Sequence, residues 1–319
     1  MNDYPQVTRD DVLTAAERIS GSVLRTPLIE AEMHGHRLWI KCECLQTGGS
    51  FKLRGASNRM MLLDEEERRR GVVAFSSGNH AQGVGIAAKR LGIHATIVMP
   101  SDAPTLKIEG TRAQGAEVVL YDRRTEDRVS IAKRISDETG AIVVPSFDDP
   151  HIVAGQGTVG LEILDQLEEA GAASPGRILV NCGGGGLTSG IALACPEAEV
   201  VPVEPEGWDD MRLSLEKGSI VPVGPDAPPT MCDAIQTPIV SPITFGILNS
   251  RGTRGVAVSE EEVAEAVRWA WKEHGLTVEP GGAASIAALL SGKVDIVPET
   301  VAVVSGGNID PALHARLIA

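Results

Sequence analysis

Apolar residues in this chain gather in short continuous runs, separated by longer stretches of helical period. The runs lie at 72–75, 96–99, 118–120, 142–144, 178–180, 200–203 and 301–304. They are rich in valine and isoleucine and do not alternate with polar residues, as in strands covered on both faces. Residues 81–91, 126–139, 158–170 and 260–274 carry the helical patterns between them. This rhythm predicts an α/β protein with mainly parallel sheets. Residues 221–242, rich in proline, read as an ordered surface excursion.

At 319 residues the chain has room for two domains of ordinary size. Its 29 basic and 43 acidic residues leave a formal charge of −14. A nucleic-acid binder needs a basic footprint, and none is visible. The one dense basic run, Arg68 to Arg70, follows Glu65 to Glu67 and reads as a solvated helix end. No apolar run is long enough for a membrane span, and the N-terminus lacks the regions of a signal peptide. The expectation is a soluble cytoplasmic protein. Five cysteines without an export signal fit reduced, buried thiols. Cys42 and Cys44 read as neighbours on one face of a strand.

Glycine is abundant, at 35 residues, and much of it sits in turns beside strands. These turns are Thr47 to Lys52, Ser76 to His80, Asn181 to Leu187 and Ser305 to Asn308. Open α/β sheets bind ligands beyond the carboxyl ends of their strands, so the turns predict one cleft lined mainly by backbone. Gly183, Gly184, Gly185 and Gly186 follow a strand and precede a helix. Their N–H groups make an anion cradle suited to phosphate. No frame through them fits G-x-G-x-x-G. Gly83 to Ala88 fits the relaxed form but lies inside a helical pattern. P-loop, zincin and nucleophile-elbow motifs are absent.

Lys52 stands apart from most other lysines, which lie among charges on amphipathic helices. It follows Gly48, Gly49, Ser50 and Phe51 and precedes Arg54, Gly55 and Ala56. A lysine in such a dry, small-residue setting has a lowered pKa and can form a Schiff base. A phosphate cradle with one such lysine is what pyridoxal phosphate requires.

Residues 50–56 (SFKLRGA), 76–83 (SSGNHAQG), 154–158 (AGQGT), the four-glycine loop and 305–308 (SGGN) occur in that order. Together they resemble the serine/threonine dehydratases and serine racemases. These are fold-type II pyridoxal-phosphate enzymes with the tryptophan synthase β-like fold. The resemblance runs from about Thr8 to Ile309. It implies that Lys52 carries the cofactor and that Asn79 meets its ring hydroxyl. Gly183 to Leu187 then hold its phosphate, and Ser305 meets its ring nitrogen. Ser76, Ser77 and His80, with nearby N–H groups, form the substrate carboxylate pocket. A neutral serine at 305, where other enzymes have aspartate, favours loss of a β-substituent once Cα is deprotonated. The implied reaction is dehydration and deamination of a 3-hydroxy amino acid, such as L-threonine or L-serine, to a 2-oxo acid and ammonia.

The resemblance also implies a Mg²⁺-like cation held by Glu204, the Trp208 carbonyl and Asp210, oxygen donors of the kind hard cations take. Two features point toward serine racemase or 3-hydroxyaspartate dehydratase. Ser77 offers a hydroxyl on the cofactor face opposite Lys52, and Arg128 could hold a second substrate carboxylate. Phe147 points back toward the dehydratases, which tend to have an aromatic residue there. The family suggests a homodimer acting on a small amino acid. It also suggests a small domain at 51–142 and a large, phosphate-binding domain formed by 1–50 and 143–319. The chain ends at Ala319, leaving no room for the regulatory region of biosynthetic threonine dehydratases.

Overall fold

Two sheets organise the chain. The computed structural model describes residues 6–76, 78–103 and 105–319, apart from the side chain of Leu106. Strands β1 (Leu28–Met33) and β2 (His36–Cys42) come first. β3 (Val72–Phe75), β4 (Ala95–Pro100), β5 (Glu117–Tyr121) and β6 (Ile142–Val143) follow. The last are β7 (Arg177–Asn181), β8 (Glu199–Pro205), β9 (Val256–Val258) and β10 (Thr300–Val304). The larger sheet has the order β1-β2-β10-β7-β8-β9 and the smaller β5-β4-β3-β6. Only β1 runs antiparallel to its neighbour; the other pairs are parallel.

The continuous apolar runs have a direct explanation. Along β10, Val301 and Val303 join one core cluster, and Ala302 and Val304 join another on the opposite face. In the smaller sheet Val72 and Ala74 face one cluster, and Val73 faces a second. Each fully buried aliphatic side chain contributes roughly 1.5–3 kcal/mol, so a strand inside such a sheet cannot spare alternate positions for polar residues.

The helices are α1 (Arg9–Ile19), α2 (Lys52–Met61), α3 (Glu65–Arg70), α4 (Asn79–Leu91), α5 (Thr105–Ala113) and α6 (Arg128–Thr139). They continue with α7 (Pro150–Glu169), α8 (Gly186–Ala194), α9 (Asp210–Lys217), α10 (Pro242–Ser250), α11 (Glu260–His274), α12 (Pro280–Leu290) and α13 (Pro311–Ile318). α3 is the expected solvated charge block, capped by Asp64. Among the described residues no helix is long and apolar enough to cross a membrane.

Three features differ from the sequence reading. α7 begins at Pro150, well before 158, with Asp149 accepting from the N–H groups of His151 and Ile152. Its glycines look like breakers but mark helix contacts: a Cβ on Gly155 would lie 2.7 Å from the Cα of Gly55. The β1–β2 hairpin escapes the pattern because its turn is His34-Gly35, with φ of 54° and 75°, rather than Asn-Gly. Cys44 is not on a strand; β2 stops at Cys42 and Cys44 lies in a 3-10 turn, Glu43–Leu45. Both thiols are free and buried.

Candidate active site

Three parallel strands end together. Val304 of β10 pairs with Cys42 of β2, and Val303 pairs with Val180 of β7. Ser305, the segment leading to Lys52, and the four-glycine loop therefore leave the sheet at one edge. Ser50 bridges to Gly306, and the Phe51 N–H donates to the Ser305 carbonyl at 3.2 Å. These contacts fix Lys52, the first residue of α2, beside Ser305.

The Lys52 amine donates to the Ser146 carbonyl at 3.0 Å and lies 5.0 Å from the Phe51 ring centroid. Desolvation pushes its pKa down to about 8, although the Glu279 carboxyl pulls it upward. More of it is therefore free amine at neutral pH than for an ordinary lysine, as a nucleophile or base needs.

Phe147, next to that carbonyl, packs on the glycine loop. A Cβ on Gly184 would lie 2.3 Å from its ring, and Gly185 has a φ of +85°. The loop runs into α8, whose N-cap, Gly185, offers no side chain to its first N–H groups. Those donors and Leu187 in the first turn form a cradle that fits a phosphate.

The smaller sheet supplies the opposite wall. β3 ends at Phe75, and Ser76 accepts from the Gly78 N–H at 3.2 Å. α4 follows without a side-chain cap, leaving first-turn N–H groups for an anion. His80 Nε2 meets the Val144 carbonyl at 2.8 Å and so must carry the hydrogen. Its Nδ1 is buried without a partner among the described residues and can only accept. The ring therefore has no hydrogen to offer a carboxylate, whereas the uncapped first turn of α4 has N–H groups to offer. Burial, then Lys52, push the His80 pKa down to about 3. Ser77, placed in the carboxylate pocket and opposite Lys52 by the resemblance, lies outside the described residues. Arg128 is the exposed first residue of α6, with its guanidinium 5.7 Å from the Phe75 ring.

Asn79 and Ser305 are held by residues that the sequence reading gave no role. Asn79 Nδ2 donates to Glu279 at 2.6 Å, and its Oδ1 accepts from Asn308 at 2.7 Å. One N–H of Asn79 is left for a ligand oxygen. Glu279 is 3% exposed, and burial pushes its carboxyl up to about 7. It occupies the N-cap position of α12 yet does not cap it. An acid before Pro-Gly-Gly, turned away from its own helix, is the signal that could have revealed it. Ser305 Oγ accepts from Asn181 at 3.0 Å.

Glu204 and Asp210 lie near enough for the Asp210 charge to act on the Glu204 carboxyl. The two Glu204 oxygens accept the N–H groups of Met211 and Arg212 at 2.9 and 2.7 Å. Asp210 is 1% exposed, and among the described residues neither of its carboxylate oxygens has a hydrogen-bond partner. Burial pushes both carboxyls up. The orphaned oxygens suit a hard cation, with Glu204 keeping lone pairs to spare. Trp208, between them in sequence, donates its ring N–H to the Pro228 carbonyl. Among the described residues no group of three or more His, Cys, Asp or Glu side chains could hold a metal.

A desolvated lysine in a cleft with a backbone cradle fit for phosphate suits an enzyme built around an aldehyde- and phosphate-bearing pyridine cofactor. The family model "Pyridoxal-phosphate dependent enzyme" matches residues 19–306, and the chain belongs to that family. It is 42% identical to an L-threo-3-hydroxyaspartate ammonia-lyase of Pseudomonas sp, over 97% of each chain. It is 38% identical to serine racemase of Schizosaccharomyces pombe, over 98% of this chain and 97% of the other. The solved structure of maize serine racemase superposes with a TM-score of 0.90 at 34% identity, covering 98% of this chain and 97% of that one. The architecture is that of the fold-type II pyridoxal-phosphate enzymes.

Proposed function

We propose that the protein is an ammonia-lyase that eliminates water from a 3-hydroxy amino acid, the resulting enamine then taking up water to give a 2-oxo acid and ammonia. The observation that carries this reading is the Lys52 amine, held partly neutral and linked through backbone contacts to a neutral serine at 305. The glycine loop and α8 would hold the phosphate of pyridoxal phosphate, Asn79 its ring hydroxyl and Ser305 its ring nitrogen. The bound cofactor supplies the electron sink that makes the substrate α-proton acidic. Ser76 and the first turn of α4 bind the substrate carboxylate. The Lys52 amine accepts the α-proton, the Cβ–O bond breaks, and the hydroxyl leaves as water after taking up a proton. The released enamine hydrolyses to the 2-oxo acid and ammonia.

L-threonine and L-serine fit this chemistry. Arg128 favours a second reading, 3-hydroxyaspartate. It stands over Phe75, one residue from Ser76, and among the described residues it forms no ion pair, so it is free for a second carboxylate. Racemisation would need a proton carrier opposite Lys52, the role assigned to Ser77. The same reading gives the protein a divalent cation at Glu204, Trp208 and Asp210, a cytoplasmic homodimer, and a small domain at 51–142. Incubation with L-serine, L-threonine and the 3-hydroxyaspartate isomers, followed for 2-oxo acid and enantiomer content, tests it. 2-Oxo acid from at least one substrate is expected; none from any of them would refute the lyase assignment.

A further inference from the structure

We propose that Asn308 is a positioning residue for Asn79: anchored on the Gly48 carbonyl, it fixes the Asn79 amide in the one orientation that turns an N–H, and not the carbonyl, toward the cofactor. The inference rests on the reading of Asn79 as the partner of the cofactor's ring oxygen.

Asn308 is fixed by a group of one polarity. Its Nδ2 lies 2.8 Å from the Gly48 carbonyl, which can only accept, and 2.7 Å from Asn79 Oδ1. The two Asn308 N–H bonds and the two acceptors match one to one. Turning the amide over would set two oxygens against each other at Gly48. The chain segments cannot drift apart to relieve that, because the Gly307 N–H donates to the Gly49 carbonyl at 2.9 Å and Ser50 bridges to Gly306. Gly49 leaves the amide its room: a Cβ there would lie 2.3 Å from Asn308 Oδ1.

The orientation of Asn79 follows from Asn308. Asn79 Oδ1 must accept, so its Nδ2 faces Glu279 at 2.6 Å and keeps one hydrogen for the cleft. Among the described residues the Asn79 side chain has no third partner. Glu279 does not set this orientation by itself. Burial pushes its carboxyl up to about 7, and an acid near half-protonation can accept from an amide N–H or donate to an amide oxygen. A neighbour of fixed polarity decides between the two, and Asn308 is that neighbour. An N–H bonds the ionised ring oxygen more strongly than the neutral hydroxyl, because the bond is charge-assisted. A carbonyl in its place would repel the anion and accept from the hydroxyl. The Gly48 carbonyl, acting through two amides, thus biases the ionisation of the cofactor's ring oxygen.

The test uses the holoenzyme, whose cofactor absorbs in the visible when the ring oxygen is ionised and in the near ultraviolet when it is a neutral hydroxyl. Asn308→Asp keeps the shape of the side chain and changes its polarity. A carboxyl has at most one hydrogen where the amide has two, so with Gly48 served it can only accept from Asn79. The Asn79 amide then turns over and presents its carbonyl to the ring. The ratio of near-ultraviolet to visible absorbance at neutral pH should rise on the order of tenfold, the worth of one net hydrogen bond. Asn308→Leu, which loses the donor without adding a charge, serves if the aspartate variant does not fold, and its ratio should rise less. Glu279→Gln should leave the ratio near that of the parent, because an amide there can still turn its oxygen to Asn79. A shift as large as that of Asn308→Asp would give the orienting role to Glu279 and overturn the proposal. A role of Asn308 confined to stability would lower melting temperature and leave the ratio in place, and that result also refutes it. Asn79→Ala separates the two layers. If it too leaves the ratio unchanged, Asn79 does not meet the ring oxygen and the underlying reading has failed.

Discussion

The helix that begins with Lys52 is anchored by a buried charge cluster, and breaking it should have a large, pH-dependent cost. Arg54, fully buried on α2, donates to both Glu43 oxygens at 2.8 and 2.7 Å and to both Glu162 oxygens at 2.7 and 2.9 Å. Lys41, also fully buried, donates to Glu162 at 2.6 Å and to the Thr26 carbonyl at 2.7 Å. Two positive and two negative groups balance. Arg54→Met keeps the volume but leaves one uncompensated buried negative charge. Breaking a buried pair from one side costs about 3–5 kcal/mol. At about 2 °C or more per kcal/mol in a chain of this size, the melting temperature should fall by roughly 6–10 °C.

Two controls follow from the charges. Glu43→Gln with Arg54→Met restores neutrality, so the double variant should melt above Arg54→Met alone, a coupling that a double-mutant cycle measures. The pH sign is also fixed. Burial pushes Glu43 up, but Arg54 and Lys41 outweigh it and hold its carboxyl below the usual range. The parent therefore keeps this stabilisation above the ordinary glutamate pKa and loses it as pH falls through the lowered value. Without Arg54, burial dominates, the carboxyl pKa rises, and protonation relieves the variant first. The gap between parent and Arg54→Met should narrow as the pH is lowered from 7 toward 4.5. Melting curves by circular dichroism across that range decide it. A loss below about 2 °C at pH 7, or a gap that widens in acid, would refute the reasoning.

Lys52→Ala should abolish the visible cofactor band and 2-oxo acid formation while leaving the far-ultraviolet spectrum unchanged; full turnover would remove the assignment. Because the free amine is the reactive form, the rate of cofactor uptake by the parent should rise with pH through about 8, and a flat stopped-flow profile would contradict this. Burial raises Glu279 from 4.5 to about 7, so its contribution to stability is full below 4.5 and is lost as pH rises through 7. Glu279→Gln should remove that slope from the melting temperature of the apo protein, and an unaltered slope argues against it. Chelation should lower melting temperature if Glu204 and Asp210 hold a divalent ion, with Mg²⁺, Ca²⁺ or Mn²⁺ restoring it; indifference to chelator counts against the site.

The parts of the site that could be read from the sequence are those where backbone does the work. Four consecutive glycines exceed what a tight turn needs, and Gly184 and Gly185 lack room or a suitable φ for any side chain. Lys52 was legible because its neighbours are small. The strands were legible because burial on both faces leaves no alternation. What stayed hidden depends on pairing between distant segments. Asn181 reads as the polar end of a strand until Ser285 and Ser305 are brought to its two ends. Glu279 reads as a helix-start acid until Asn79, 200 residues earlier, meets it. The α7 start was hidden because glycine at a helix crossing and glycine in a turn look alike in one dimension.

Burial also bears on which group in this cleft the proposed function would use as its base. His80 and Lys52 are near enough for the lysine charge to depress the imidazole, and both lie beside the segment 144–147. In water the imidazole would be the readier base at neutral pH, because it is largely deprotonated there and an ammonium is not. Inside this protein the order changes. His80 falls to about 3 and spends its only N–H on the Val144 carbonyl, while Lys52 falls only to about 8. A base of pKa about 3 has almost no drive to take a carbon-bound proton, whereas one near 8 is partly free and still strongly basic. Under the proposed function, abstraction would therefore fall to Lys52. Elimination needs one such base, whereas reversing configuration at Cα needs a second, the role that the proposed function leaves to Ser77.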